Sequence, residues 1–486
     1  MRSKHFGVIQ ESAISPAEAA GSTRHRVVVA AMASLAVVAA LSLCLEVRWH
    51  MAQSYAGDEP HYLVVTNSLI TDGDFDVKND YLDERYMKYY RFQIDPHVNT
   101  NIFKADSPHW YSEHGAGLPV LLLPAVVAGH ERGGVDEMVV MAVGVLVLAF
   151  FWVRRFVPDP WLAGVAVGSL GLSPFFLGVE GRIFPDLLLA GLLLGSLLIL
   201  EQRERRDWQL GMLSVLVGVS PWIHSKYLLA LGTVLAIVVV QVARSTEGRE
   251  RARRILLLAV PASASVVAYE LVTKAWYGTW IPTPFGLPGH KLFALSEARG
   301  LSAVSFDSAR GLFPNAPAMF LILVGIPLWY ARFRGPVLRL AVVVAPSILI
   351  DATYSDWSGG FAPPARYAIG FVPALLPAIA LVLREAPRAI RAAAWALLAV
   401  NAALAAAFAW LRPPWDLTGS RSPFFAALQQ HLGPAFDRAF PAFDYWGNVT
   451  GRRGQLAVWI GLSALFLGVG ILIARRRLSG SSEAAA

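Results

Sequence analysis

Long apolar runs alternate with short polar turns along most of this chain. The first run, 27–45, follows Arg24 and Arg26 and is closed by Glu46, Arg48 and His50. A cleaved signal peptide has an apolar core of about 7–15 residues and a small-residue cleavage site. This run is longer, so it reads as an uncleaved anchor. Further apolar segments fall at 138–153, 161–179, 187–200, 209–223, 227–243, 255–275, 317–331, 337–351, 367–383, 391–411 and 455–474. Several are short against the roughly 20 residues that a helix needs to cross about 30 Å of hydrocarbon. Segment 118–128 is apolar too, but about half as long as a span, and it contains Pro119 and Pro124.

Loop charges decide how the half-length segment is counted. Counting 118–128 as a span would place Arg203, Arg205 and Arg206 outside, with Arg249, Arg251, Arg253 and Arg254. Excluding it puts every dense basic cluster on the cytoplasmic side, as positive-inside bias requires. These clusters include Arg154-Arg155, Arg332 with Arg334, Arg384 with Arg388, and Arg475-Arg476-Arg477. The expectation is an all-α polytopic membrane protein of about twelve transmembrane helices, with both termini cytoplasmic and 118–128 interfacial or re-entrant. The polar loops 47–137, 276–316, 352–366 and 412–454, and the turns 180–186 and 221–226, then share the outer face.

Composition agrees with a life in lipid. The 486 residues are 55% hydrophobic and 16% charged, against roughly 25% charged in soluble chains, and mean hydropathy is +0.48. A net charge of +7 raises the question of nucleic acid, but the basic residues sit in short clusters between apolar runs rather than in a binding stripe. No nucleic-acid partner is expected. The single cysteine, Cys44, lies within the first apolar run, so no disulfide forms within the chain.

Candidate chemistry gathers on the outer face. Gly57-Asp58-Glu59-Pro60-His61-Tyr62 follows the first run, and Pro60 suits the first turn of a helix. Asp58 and Glu59 would stand at that helix's N-terminus, either as simple caps or with one of them as general base for an acceptor hydroxyl. Asp186, in Glu180-Gly-Arg-Ile-Phe-Pro-Asp186, is a second acidic site with the same two readings. His224 and Lys226, in Pro221-Trp-Ile-His-Ser-Lys-Tyr227, either line a turn or bind phosphate. Trp357-Ser-Gly-Gly-Phe-Ala-Pro-Pro-Ala-Arg366-Tyr367 sets glycines and an arginine before a span. Arginine suits bidentate phosphate recognition, whereas a snorkelling anchor is the plainer role. Asp72, Asp74, Asp76 and Asp83 resemble a calcium loop, but Val77 replaces the turn glycine, and a solvated turn is preferred. His97, His109 and His114 lie in the same outer loop, at a spacing that fits no standard zinc pattern.

In their order and common placement, the Asp-Glu-Pro-His-Tyr, Pro-Asp, Pro-Trp-x-His-x-Lys and Trp-Ser-Gly-Gly blocks resemble the GT-C glycosyltransferase superfamily. The resemblance is to bacterial members akin to the protein O-mannosyltransferases and lipid A aminoarabinose transferases. It implies a GT-C-like transmembrane domain over 27–411 with a catalytic first outer loop 47–137. A cytoplasmic tail 1–26 precedes it, and an outer loop 412–454, a last span 455–474 and a tail 475–486 follow. It implies inverting transfer of a sugar from a polyprenyl-phosphate donor to a glycan, lipid or protein acceptor, on the outer face of a bacterial cytoplasmic membrane. Asp58, Glu59 and Asp186 would be catalytic. His61, Tyr62, His114, His224, Lys226, Trp357, Arg366 and Tyr367 would bind substrate, with no metal or cofactor. His114-Gly-Ala-Gly-Leu-Pro119 stands where mannosyltransferases carry His-Pro-Pro-Leu, which leaves sugar and acceptor open.

A transporter or lipid-carrier flippase is the alternative. It should place ionisable groups near mid-span, whereas Glu270, Lys274 and Asp351 lie near span ends.

Overall fold

The computed structural model describes residues 55, 57–98, 107–280, 299–353, 362–411, 422–433, 435–443, 449 and 451–483. The tail 1–26, the anchor 27–45 and Trp357 lie outside the described residues. The principal helices are α1 (Glu59–Thr71), α2 (Gly117–Arg154), α3 (Pro160–Gly171), α4 (Asp186–Leu200), α5 (Asp207–Ile223) and α6 (Tyr227–Ser245). They continue with α7 (Gly248–Tyr277), α8 (Phe320–Arg332), α9 (Arg334–Thr353), α10 (Val372–Glu385), α11 (Arg388–Leu411) and α12 (Arg453–Glu483). The described residues contain no strand, only isolated bridges joining Val98 to Ser112 and Phe443 to Val449.

Among the described residues, α2, α6, α7, α9, α11 and α12 are long and apolar enough to cross a membrane, whereas α3, α4 and 317–332 are shorter apolar helices. Length and composition therefore give six candidate spans among the described residues, which do not include the expected anchor 27–45. Only 11% of the apolar window of α7 or α12 is buried inside the protein, and Val260, Leu271, Val458 and Leu465 are exposed. Such a belt would drive aggregation in water; in a bilayer it faces its own kind. The chain is an integral membrane protein.

Two apolar runs are subdivided. The run 161–179 breaks after α3, where Ser173 caps a short helix Pro174–Val179 by accepting from Phe176 N–H at 3.2 Å. Pro174 cannot donate to a continuing helix. Segment 118–128 becomes the first arm of α2, ended by Gly129 and by His130 at φ 54°. Beyond the break, a Cβ on Gly133 would lie 1.9 Å from the Ala125 carbonyl oxygen. The second arm thus turns back against the first, which leaves 118–128 a separate short helix, as expected.

Packing is close where small residues meet. A Cβ on Gly325 of α8 would stand 2.1 Å from the Ala378 oxygen of α10, so the backbones touch in the manner of small-residue membrane crossings. Trp152 of α2 donates from Nε1 to the Ala374 oxygen at 2.8 Å, and Asn401 of α11 donates to the Ser169 oxygen of α3 at 2.9 Å. These polar ties fix helices that lipid alone would not order.

The helix α4 runs from Asp186, at one end of the bundle, to Leu200; its fifteen residues span about 22 Å at 1.5 Å per residue. The first end carries the motifs around Asp58, Asp186, Lys226 and Arg366; the second carries arginines.

Candidate active site

At the entry to α1, the Asp58 backbone oxygen accepts from His61 and Tyr62 N–H at 3.1 and 3.2 Å, and its side chain makes no capping bond. The carboxylate is therefore available to a tertiary partner. Glu59 does not cap either. Its Oε2 accepts from Arg182 at 2.7 Å and its Oε1 from the Ile183 N–H at 3.0 Å, within a buried pocket. Adjacent in sequence, the two carboxylates enter different networks.

Arg366 is the partner of Asp58. Its Nη1 donates to Asp58 Oδ2 at 2.9 Å and its Nε to Asp186 Oδ2 at 2.7 Å, while the guanidinium lies 4.1 Å over the Phe184 ring. A strained residue aims it: Ala365 is left-handed at φ 51°, held by donation from its N–H to the Arg310 oxygen at 2.7 Å. Such strain persists only where the surroundings fix it. Asp307 braces the same turn by accepting from the N–H groups of Ala309, Arg310 and Phe443.

Asp186 opens α4 behind Pro185 and makes no capping bond. It also accepts from Tyr227 Oη at 2.8 Å and from Lys226 Nζ at 3.4 Å. Lys226 reaches Asp351 at 3.7 Å and sits 3.9 Å over the Tyr367 ring. Below it, a narrow slot between α4, α6 and α9 is lined by Leu189, Leu193, Ala230 and Val344. The charged head thus stands over a small, largely apolar pocket.

Solvent reaches Asp58, whose side chain is 23% exposed, but hardly Asp186 at 2%. Burial pushes the Asp58 carboxyl up, yet Arg366, His114 and His97 outweigh it and hold the group well below the usual carboxylate range. His224 accepts from the Lys226 N–H at 3.4 Å. Burial and then Lys226 lower its pKa to about 3, so it serves as a neutral polar group rather than as a cation for phosphate.

On the other side of Asp58 lies a histidine cluster. His61 stacks on His97 with ring centroids 3.7 Å apart and bonds through Nδ1 to Tyr81 Oη at 2.7 Å. His97 Nδ1 lies 3.1 Å from His114 Nε2 and 3.6 Å from Glu113 Oε1. The His114 and Tyr62 rings stand 5.0 Å apart. Burial lowers the His114 pKa to about 4, and burial, then Asp58, raises that of Glu113 to about 7. Asp58, His97 and His114 each offer a donor atom within 4.8 Å of the others, a set able to hold a metal ion. Sequence spacing hid this set because its members come from three separate points of the loop. His109 is absent from it, paired instead with Asp76 at 2.6 Å.

The aspartate-rich turn is not a cation cage. Asp72 binds Arg85 at 2.6 Å, Asp74 accepts from the Asp76 N–H at 3.0 Å, and Asp76 accepts from Lys78 and Trp110 N–H. Its carboxylates order the loop.

The fold therefore gathers Asp58, Asp186, Lys226, Arg366 and Tyr367 in one network, with His61, Tyr62 and His114 beside it and His224 next to Lys226. Sequence reasoning passed over Arg182, Tyr227, His97, Glu113 and Asp351 as site residues. An ionisable residue at a span end, as Asp351 is, was the available signal.

The chain is a polytopic membrane protein of GT-C-like fold, charged at both ends of the bundle. No family model matches the sequence, and no curated protein matches it. The solved apo structure of ArnT from Cupriavidus metallidurans is similar over 94% of this chain and 75% of its own, at 13% identity and TM-score 0.51. ArnT bound to undecaprenyl phosphate gives 13% identity and TM-score 0.48 over 91% and 74%. The Archaeoglobus fulgidus oligosaccharyltransferase in complex with Zn and sulfate gives 16% and 0.42 over 77% and 53%. At such identities the likeness is one of fold.

Proposed function

We propose that this protein transfers a sugar from a polyprenyl-phosphate carrier to a hydroxyl of an envelope acceptor, with inversion. The observation that carries the reading is the Arg366 bridge between Asp58 and Asp186, set beside Lys226 at the head of an apolar slot. The carrier phosphate would meet Lys226 and Arg366 there.

In the reaction, the acceptor hydroxyl gives its proton to Asp58 while its oxygen attacks the anomeric carbon. The bond from that carbon to the carrier phosphate breaks, and the pair of electrons leaves with the phosphate. Fixed positive charge at that developing anion is a large catalytic contribution. With Arg366 at rest on Asp58, the carboxylate is a weak base. A carrier phosphate draws the guanidinium toward itself and strengthens Asp58 as base when donor is bound. Asp186 and Tyr227 hold Lys226 and Arg366 in place. Glu59 anchors α1 through Arg182, so we assign the base to Asp58. The active end faces outward across a bacterial cytoplasmic membrane, in keeping with the basic clusters at the other end.

Glycan and lipid profiles of cells carrying the wild type and Asp58→Asn test the proposal. One envelope glycoform should disappear at normal protein abundance; an unchanged profile sinks it. A flippase would move the carrier in vesicles without any glycosyl transfer.

A further inference from the structure

The helices α4, α6 and α9 each touch the candidate active site at one end, through Asp186, Tyr227 and Asp351. Their other ends frame a second cavity, of about 810 Å³. Arg155, Arg203, Arg205, Arg244 and Arg339 line it, and Glu201 is the one carboxylate among its lining residues. Glu201 is taken by Arg339, which grips both its oxygens. Arg205 donates its hydrogen bonds to neutral acceptors, the Ile199 oxygen at 2.8 Å and Gln241 Oε1 at 2.6 Å. Arg155, Arg203 and Arg244 are exposed at the rim.

Positive-inside bias alone does not account for this cavity. Some arginines elsewhere at the same end meet carboxylates, Arg253 and Arg254 at Asp207 and Arg332 and Arg477 at Glu385, but those without such a partner do not share a cavity wall with an apolar floor. Here four cations remain around one hollow. Crowding is real, since burial first, and then Arg339 and Arg155, push the Arg205 pKa down against the pull of Glu201. The walls are also two-faced: Phe156, Leu200 and Phe333 supply an apolar floor beneath the cationic rim. A free anion needs the rim alone. A phosphate esterified to glycerol and acyl chains uses both, and basic pockets between membrane helices bind such headgroups.

We propose that this cavity binds the phosphate headgroup of an anionic phospholipid from the leaflet opposite the active site. It shares no residue with the glycosyl-transfer site and does not depend on that reading.

Native mass spectrometry of the full-length protein, from micelles mixed with phosphatidylglycerol or phosphatidylcholine, tests the site. The wild type should retain phosphatidylglycerol selectively. Arg155→Gln with Arg203→Gln and Arg244→Gln should weaken retention at least tenfold. Arg251→Gln with Arg253→Gln and Arg254→Gln removes as much charge outside the cavity and should leave retention unchanged. Equal loss in both triples, or no preference in the wild type, overturns the proposal. Inorganic phosphate in the low millimolar range should not displace the lipid; displacement would assign a soluble phosphate instead and overturn the lipid source. Should the first triple misfold, thermal stabilisation of the wild type by phosphatidylglycerol and not by phosphatidylcholine, lessened in Arg244→Gln alone, reads out the same site. Equal stabilisation by both lipids counts against it.

Discussion

Arg366 and Asp58, 308 positions apart in the chain, meet at 2.9 Å, and the same guanidinium holds Asp186 at 2.7 Å. Arg366→Lys keeps one charge but cannot span both carboxylates from a planar fork. Transfer activity should fall about 10–100-fold, or roughly 1.4–2.7 kcal/mol of transition-state stabilisation. Arg366→Ala should abolish activity and also lower the melting temperature, because buried Asp186 loses its shortest charged partner and keeps only Tyr227 and the longer contact to Lys226. Asp58→Asn should remove activity with little change in melting. Thermal melts beside a transfer assay separate the two effects.

Glu59 should behave unlike its neighbour. Glu59→Ala takes a carboxylate from Arg182, whose side chain is 7% exposed. Loss of one partner from a buried pair costs about 3–5 kcal/mol, so poor expression and a lowered melting temperature are expected. Glu59→Gln still accepts from the Ile183 N–H and should fold better, with substantial activity. Inactivity in a well-folded Glu59→Gln would move the base from Asp58 to Glu59.

The stabilising contribution of neutral His224 should fall on mild acidification. His224 has a folded pKa of about 3, below the unfolded value of about 6.5. Between these values the unfolded chain binds the proton and the folded one does not. The contribution is thus complete above pH of about 6.5 and diminishes, by up to about 1.4 kcal/mol per pH unit, as pH falls toward 3. His114, with a pKa of about 4, acts in the same direction. Glu113, raised to about 7, acts the other way, so the check is a difference: from pH 7 to 5, His224→Gln should lose less melting temperature, or gain more, than the wild type.

The crossing of α8 and α10 should tolerate no side chain. A Cβ on Gly325 meets backbone at 2.1 Å, so the helices must separate and Trp152 loses its bond to Ala374. Gly325→Val should destabilise by several kcal/mol, beyond the usual 1–3 kcal/mol of overpacking, as measured by melting in detergent. Gly164, with nothing within 4 Å of its Cβ position, is the matched control and should accept alanine.

The sequence by itself determined where helices form and what surrounds them. Apolar runs set the positions of most helices, Pro60 marks a helix start, and polar motifs gather in the loops between the runs. These are local properties, because hydropathy and capping act within a few residues. Pairing is different. Whether Asp58 or Glu59 meets Arg366, whether His97 rather than His109 joins His114, and whether Asp186 caps α4 or binds Lys226 all depend on contacts across tens to hundreds of residues. A carboxylate's chemistry is set by the charges and solvent within a few ångströms of it, and only the tertiary structure brings those charges there.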